Sequence, residues 1–437
     1  MSAQYRPPMF APSIDLDLSR NEGRPRVSGV DIDAADGSVL TSRYPDTSEL
    51  RAAIARRHEV TPGQVLVTAG GDDALFRCFL TASGGTVVST TPTFEMVRRY
   101  AEQTGSRLVE VPWWDGDFPV SDLLGNSERY MAVVVSPNNP TGSVIEPGDL
   151  RKVADAYLLV VLDSAYAEFA DEDITSAALE LGNVVVVRTL SKAYGLAGLR
   201  VGYALGPEEL IARVGVFGSP YPVSSVSSAL ACQVLAAGES ANRPFLEAVK
   251  EQRQRLTTLL HGLGCAPLPS QGNFVLATDV DPGWLVTAAA SLGVGLRRFP
   301  DREDLRRCVR ITVPGEEQGY QRLESTLRSA LAPEAILFDF DEANLDPGLS
   351  ARLESRISLG FVTEPGQDAI RRTMERLGAG HAWMMAAAPD SLHSARSCGV
   401  VPIGLRVPGG AGDDLSTAAR VLDSPNELEE VLDVAHV

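Results

Sequence analysis

The sequence predicts an α/β protein with a large domain built on a mostly parallel sheet, a smaller α+β domain, and a small Rossmann-like α/β module at the end. Three observations carry this. Short Val- and Leu-rich runs recur in the first half: Thr86–Ser89, Leu108–Val111, Met131–Val135, Leu158–Leu162 and Val184–Val187. They do not alternate, and helical stretches lie between most of them, which marks strands buried on both faces. After a long, mostly helical stretch the strands become sparser, and near Ala332-Pro333 the strand–helix alternation starts again. A chain of 437 residues has room for roughly two to three domains.

The elements follow in order. Residues 1–40 read as an arm with a short strand around Ile14–Leu18. A helix is expected over 47–59, with Ser48 as its N-cap. Val65–Thr68 is a strand that runs through Gly70-Gly71-Asp72-Asp73 into an apolar helix ending near Leu80. The buried strands complete a large domain over 41–225. Residues 203–222 are punctuated by Gly and Pro. The helical segment from about Ser224 to Leu263 is expected to break near Pro244. A strand at Asn273–Thr278, a helix near Trp284–Leu292 and a strand at Cys308–Val313 make a small domain over 226–332. The module over 335–437 has strands at Ala335–Phe340, Ile357–Thr363, His381–Met385 and Val401–Leu405. Its helices lie at Gln367–Leu377 and near Ser391–Cys398.

Composition excludes several classes of function. The net charge is −18 and the pI about 4.8, so no basic field attracts nucleic acid or an anionic membrane. The five cysteines are odd in number and form no CxxC pair, which argues against a disulfide framework or a zinc site. No metal is expected. The N-terminus lacks a secretory pattern. No run approaches the roughly 18 apolar residues of a spanning helix. A soluble, cytoplasmic protein is expected. Lysine occurs only at 152, 192 and 250, so any lysine chemistry has three candidates.

Lys192 stands out. It follows the strand Val184–Val187 in the turn Ser191-Lys192-Ala193-Tyr194-Gly195. A lysine there can reach an aldehyde in a cleft and form a Schiff base once its amine is neutral. Arg200 can hold a phosphate dianion by a two-point fork, and Ser191 can add a hydrogen bond. Asp163 ends another strand. A carboxylate so placed can keep a pyridine nitrogen protonated, although taken alone it reads better as a helix cap. Tyr166 and Asn139 can hydrogen-bond a ring phenolate, and Phe94 can stack on the ring. Gly71, Asp72 and Asp73 open a helix whose free N–H groups suit a phosphate. Their amides, not the two carboxylates, must then face it. These requirements converge on pyridoxal 5'-phosphate.

In this order the motifs resemble the fold-type I pyridoxal-phosphate enzymes of the class I/II aminotransferase family, especially its histidinol-phosphate branch. Leu18-Ser19-Arg20-Asn21-Glu22-Gly23 looks like that family's N-terminal Asn-Glu segment, and Arg43-Tyr44-Pro45-Asp46 like its Arg-Tyr-Pro-Asp motif. Gln271-Gly272-Asn273-Phe274 and Val309-Arg310-Ile311-Thr312-Val313 look like its small-domain motifs. The resemblance implies that Tyr44 reaches the cofactor phosphate of a neighbouring subunit, hence a homodimer with shared sites. It implies that Arg310, with Arg297 and Asn21, binds the substrate. Phe94 departs from the branch, which usually has tyrosine there. That loses a hydroxyl but keeps the stacking surface.

The last module resembles haloacid-dehalogenase-like phosphatases, in which two aspartates at a strand end act as nucleophile and acid. Here they are Asp339 and Asp341. Where that family has a Gly-Asp pair for metal, this chain reads Ala386-Ala387-Ala388-Pro389-Asp390, and no lysine follows Lys250. The module therefore reads as degenerate and non-catalytic. The expected activity is transamination between an amino donor and a keto acceptor. A decarboxylase, a cyclase, an amino-acid oxidase or a binding protein that retains the cofactor would share the same motifs.

Overall fold

The computed structural model describes residues 9–10, 12–23, 42–125, 128, 130–364, 366–406 and 414–435. Much of the arm expected over 1–40 lies outside them. The chain divides into two compact units: residues 1–4, 21–253 and 268–275, and residues 5–20, 254–267 and 276–437. The first strand, β1 (Leu16–Asp17), belongs to the second unit and is shorter than the strand expected over Ile14–Leu18.

The first unit is built on a seven-stranded sheet. Its strands are β2 (Val65–Thr68), β3 (Thr86–Thr91), β4 (Arg107–Pro112), β5 (Met131–Val135), β6 (Leu159–Asp163), β7 (Val184–Thr189) and β8 (Gly202–Leu205), in the order β2-β8-β7-β6-β5-β3-β4. All neighbours are parallel except β8, which runs antiparallel to both β2 and β7. Strand β8 was not expected, because Gly202 and the glycines and prolines after it break the apolar run. The strand interiors are buried valines and leucines that pack with Ala74, Leu75, Cys78 and Phe79 of the Gly71–Thr81 helix. The strand order reverses between β3 and β5. In such sheets ligands bind outside the carboxyl ends of the strands, near that reversal.

Two helix boundaries differ from expectation. Thr47, not Ser48, precedes the first turn of the Ser48–Arg57 helix. Ser48 instead donates from its N–H and hydroxyl to Asp46 at 2.9 and 2.5 Å. The long helical segment breaks before Pro244, at residues 237–242, and Pro244 lies in the first turn of the Arg243–Gly262 helix. A proline there loses no hydrogen bond, because the N–H groups of a first turn have no partner within the helix. Ser224 caps the preceding Ser225–Ala236 helix.

The second unit holds three sheets. Strand β1 pairs with β11 (Val294–Gly295). A four-stranded sheet takes the order β12-β13-β10-β9, with β9 (Ala266–Pro267), β10 (Phe274–Thr278), β12 (Arg297–Arg298) and β13 (Val309–Thr312). The third sheet is parallel throughout, in the order β15-β14-β16-β17-β18. Its strands are β14 (Ala335–Phe338), β15 (Ser358–Phe361), β16 (Ala382–Ala386), β17 (Val401–Leu405) and β18 (Arg420–Leu422).

A parallel sheet needs both faces covered. Ala382 and Met384 of β16 point into a core with Ile370 of the Gln367–Leu377 helix and Ala395 of the Pro389–Ser397 helix. Between them Trp383 faces the other way, fully buried. It meets Trp284 edge-on, with ring centroids 4.8 Å apart. The two indole N–H groups donate to Ser329 O at 2.7 Å and Ala330 O at 2.9 Å. These partners lie on the Pro282–Ser291 and Glu317–Leu331 helices. The tail therefore shares its second layer with helices that precede it in the chain.

Candidate active site

The motifs that adjoin the strands of the first unit emerge at one edge of its sheet. Strands β3, β5, β6 and β7 run the same way, so the segments that follow them share an edge. Those segments carry Thr93-Phe94, Ser136–Thr141, Asp163–Tyr166 and Ser191-Lys192. Strand β2 is parallel to β7 across β8, so Gly70-Gly71 also arrives there. Strand β8 is reversed, and Arg200 therefore enters from the same side. The register confirms it: Gly202 lies opposite both Thr68 and Thr189.

Tyr166 is buried at the centre. Its hydroxyl accepts from Asn21 Nδ2 at 3.2 Å and Asn139 Nδ2 at 3.5 Å, and Lys192 Nζ lies 5.7 Å from its ring centroid. Phe274 packs edge-on against it at 5.1 Å. The structure thus gathers Asn21, Asn139, Tyr166 and Lys192 from four distant stretches. Asn21 is left-handed (φ 53°), a conformation asparagine tolerates. The arm then passes so close to the lysine turn that a Cβ on Gly23 would lie 1.7 Å from Lys192 O.

Asp163 ends β6 and is 6 % exposed. Burial pushes its carboxyl up to about 7, against the N–H of Ala165, which donates to it; Asp72 pushes the same way as burial, and Lys192 opposes. A buried carboxylate this poorly compensated suits a cationic ring nitrogen. The sign for stability follows. The folded value lies above the ordinary carboxylate value of 3.8, so the folded apoprotein binds more protons than the unfolded chain between about pH 4 and 7. Its stability is therefore highest below that window and falls as pH rises through it, by at most about 1.4 kcal/mol for each step of one in pH. Asp163→Asn is expected to flatten the melting temperature of the apoprotein across that range. An unchanged slope would contradict this.

The side that the sequence reading gives to an anion is assembled from three elements. Gly70 (φ 85°) precedes the Gly71–Thr81 helix. The left-handed φ of Gly70 favours glycine there, and a Cβ on Gly202 would lie 2.3 Å from Gly70 C, so close backbone approach requires glycine at 202. Arg200 Nη1 reaches Ser191 Oγ at 3.5 Å, and Thr189 Oγ1 donates to Ser191 Oγ at 2.9 Å. The Asp73 carboxylate turns away, accepting from Ala69 N at 2.9 Å and from Arg77 at 2.7 and 2.8 Å. Asp72 behaves differently: its carboxylate pairs with Arg200 at 3.2 Å, both side chains half-exposed.

Phe94 packs partly buried against the first unit's core. Thr93 Oγ1 donates to Asn138 Oδ1 at 2.7 Å, and Asn138 Nδ2 donates to Pro92 O at 2.8 Å, which ties the segments after β3 and β5 together. Tyr44 is 81 % exposed and stacks on Tyr221 at 4.6 Å. In the second unit Arg297 and Arg310 face each other across β12 and β13. Arg310 is buried, with Nη2 donating to Ser19 O at 2.8 Å.

Sequence reasoning did not single out a buried network beneath the lysine. Arg188 Nη2 donates to Glu168 Oε1 at 2.6 Å, and Nη1 to Asp173 Oδ2 at 2.8 Å and Thr175 Oγ1 at 2.5 Å. Tyr203 lies opposite Arg188 in the sheet, its hydroxyl 3.0 Å from His58 Nε2. Burial, with Arg188 and Arg57 adding to it, holds His58 down at about 3, so it is neutral. Asn273, part of a motif noted in the sequence but given no role of its own, also stands out. It is buried, its Nδ2 donates to Asn21 O at 3.4 Å, and its Oδ1 has no partner among the described residues.

A lysine, a buried carboxylate, a tyrosine held by two amides and a glycine-lined anion cup at this edge are the parts of a fold-type I pyridoxal-phosphate enzyme. Residues 26–325 match the model of the aminotransferase class I and II family. The chain belongs to that family and is a pyridoxal-phosphate-dependent aminotransferase. A histidinol-phosphate aminotransferase of Thermoanaerobacter pseudethanolicus is 34% identical over 282 residues, covering 62% of this chain and 79% of the relative. An aromatic amino acid aminotransferase of Mycobacteroides abscessus is 36% identical over 253 residues, covering 55% and 73%. The crystal structure of histidinol-phosphate aminotransferase from Sinorhizobium meliloti in complex with pyridoxal-5'-phosphate gives a TM-score of 0.64 at 27% identity, over 72% of this chain and 90% of that one. The family match ends before the tail.

Proposed function

We propose that this aminotransferase moves an amino group between an amino-acid or amino-phosphate donor and a keto acid, with Lys192 as the residue that holds the cofactor and shuttles the proton. The cluster of Lys192, Tyr166, Asn139 and Asn21 beside buried Asp163 carries this reading. When bound, pyridoxal 5'-phosphate supplies an electron-withdrawing ring that stabilises charge at the substrate's Cα. Asp163 keeps the ring nitrogen protonated. Tyr166 and Asn139 hydrogen-bond the ring oxygen. Ser191, Arg200 and the amides of Gly71, Asp72 and Asp73 hold the phosphate. Lys192 Nζ would serve as the base that takes the proton from the substrate's Cα and as the acid that gives it back. Phe94 stacks on the ring. Arg310, with Arg297 and Asn21, takes the anionic group of the substrate.

The protein works in this reading as a cytoplasmic homodimer in which Tyr44 reaches the phosphate of the partner's cofactor. The exposure of Tyr44 and its stacking on Tyr221 support this. Among the described residues no helix is long and apolar enough to cross a membrane. The tail is a degenerate phosphatase-like module. Asp339, which follows β14, accepts from Ser391 and from the amides of Ala387 and Ala388. Asp341 caps the short turn Glu342–Asn344. Both aspartates thus have structural work.

Purified holoenzyme would be offered L-histidinol phosphate, L-phenylalanine and L-glutamate in turn. The cofactor absorbance is expected to bleach with a donor and return with 2-oxoglutarate. Release of CO₂ instead would make the chain a decarboxylase and overturn the proposed reaction.

A further inference from the structure

The tail makes one contact that the reaction does not call for. On the Pro389–Ser397 helix, Arg396 Nη2 donates to Ser13 O at 2.7 Å. Two residues along, the Asp15 carboxylate takes a two-point pair from Arg322, at 2.5 and 2.6 Å. Arg322 also donates to Leu292 O at 3.0 Å. Its hydrogen bond is the main cause holding the Asp15 carboxyl below its usual value, and the charge of Arg396 adds to it. These groups converge over Gly293 (φ 83°). A Cβ there would lie 2.3 Å from Asp15 Oδ1, 2.7 Å from Arg322 Nη2 and 3.2 Å from Arg396 Nη2.

From this anchor the arm is tied down residue by residue. The N–H groups of Asp15 and Leu16 both donate to Gly293 O at 3.1 Å, and Leu18 N donates to Gly295 O at 2.8 Å. Leu18 O accepts from Thr312 N at 3.3 Å. Ser19 O accepts from Arg310 Nη2 at 2.8 Å. A continuous path of hydrogen bonds and backbone therefore runs from the tail helix to the guanidinium that the proposed function gives to the substrate's anion. The arm strand itself has two residues. A ladder that short is marginal alone.

We propose that the tail is a built-in brace for the substrate-binding arm, with Arg396 as a positioning residue that keeps residues 13–19, and through them Arg310, in place. This rests on the assignment of Arg310 to the substrate. The brace gives the module a role that requires no catalytic group of its own.

The test uses full-length holoenzyme and the variants Arg396→Ala, Arg396→Lys, Asp15→Asn, Arg310→Ala and, as a control, Arg372→Ala. Arg372 is an exposed tail residue that pairs with Glu364. Hydrogen exchange is read on the peptide spanning residues 14–19. Losing a hydrogen bond to a charged group is expected to speed its exchange about tenfold in Arg396→Ala and Asp15→Asn. Arg396→Lys should restore part of the protection, and Arg372→Ala should leave it unchanged. In the half-reaction with L-histidinol phosphate, KM should rise about tenfold in Arg396→Ala with kcat little changed. The cofactor band before substrate should stay as in the wild type. An Arg310→Ala enzyme with unaltered KM overturns the assignment of Arg310. A raised KM in Arg310→Ala, with exchange and KM both unaltered in Arg396→Ala, overturns the brace.

Discussion

Lys192→Ala is expected to abolish transamination, with a loss of at least about 10⁴-fold in turnover, because one side chain supplies both the attachment point and the acid–base group. No other lysine can replace it. The other two are Lys152, which pairs with Asp149 at 2.8 Å, and Lys250, which donates to Ala170 O at 2.7 Å. Neither lies in the cluster around Tyr166. The variant should still fold, since the Lys192 side chain is only partly buried, and it should still bind the cofactor non-covalently through Arg200 and Asp163. Activity within tenfold of wild type, measured as keto-acid formation, would remove Lys192 from its role.

Arg188→Ala is expected to cost about 3–5 kcal/mol of stability, because it leaves a buried charge without its partner. Arg188 is 1 % exposed, and the Glu168 carboxylate it pairs with is 6 % exposed. The pair also has a positional task. Arg188 stands on β7 four residues before Lys192, and Glu168 stands two residues after Tyr166. The ion pair therefore fixes the strand that carries the lysine against the turn that carries the tyrosine. A combined Arg188→Met and Glu168→Leu variant should recover much of the stability, because it leaves no lone charge. It should recover less of the activity, because the tie becomes non-directional. Urea unfolding of the three proteins reads the first expectation. A loss of less than about 1 kcal/mol in Arg188→Ala would put it among solvent-exposed pairs and contradict the account.

Most candidate-site residues that the sequence pointed to lie in short motifs directly after a buried strand; Asn21, on the arm, does not. Asp163, Lys192 and Asn139 could be placed because a Val-rich run announces the strand and the sheet edge does the rest. Strand β8 escaped because its run opens on Gly202 and is followed by more glycine and proline. The Arg188–Glu168–Asp173 network escaped because its members follow no helical or strand period. Only the packing of β7 on the turns after β6 brings them together. Ser48 was misjudged as a cap because its hydroxyl and its N–H both donate to Asp46, two residues earlier. The link from Arg396 to Ser13 spans 383 residues and ends on a backbone carbonyl, which leaves no mark in the sequence. The tail's aspartates show the converse. Their sequence pattern resembles that of a phosphatase, yet Asp339 accepts from Ser391, Ala387 and Ala388, and Asp341 from Ala343 N.

The most direct test of the central claim is to reduce the holoenzyme with borohydride, digest it, and map the pyridoxyl group by mass spectrometry. With three lysines in the chain the result is unambiguous. The account predicts the adduct on the peptide containing Lys192 and on no other. An adduct on Lys152 or Lys250, or a protein that carries none, would contradict it.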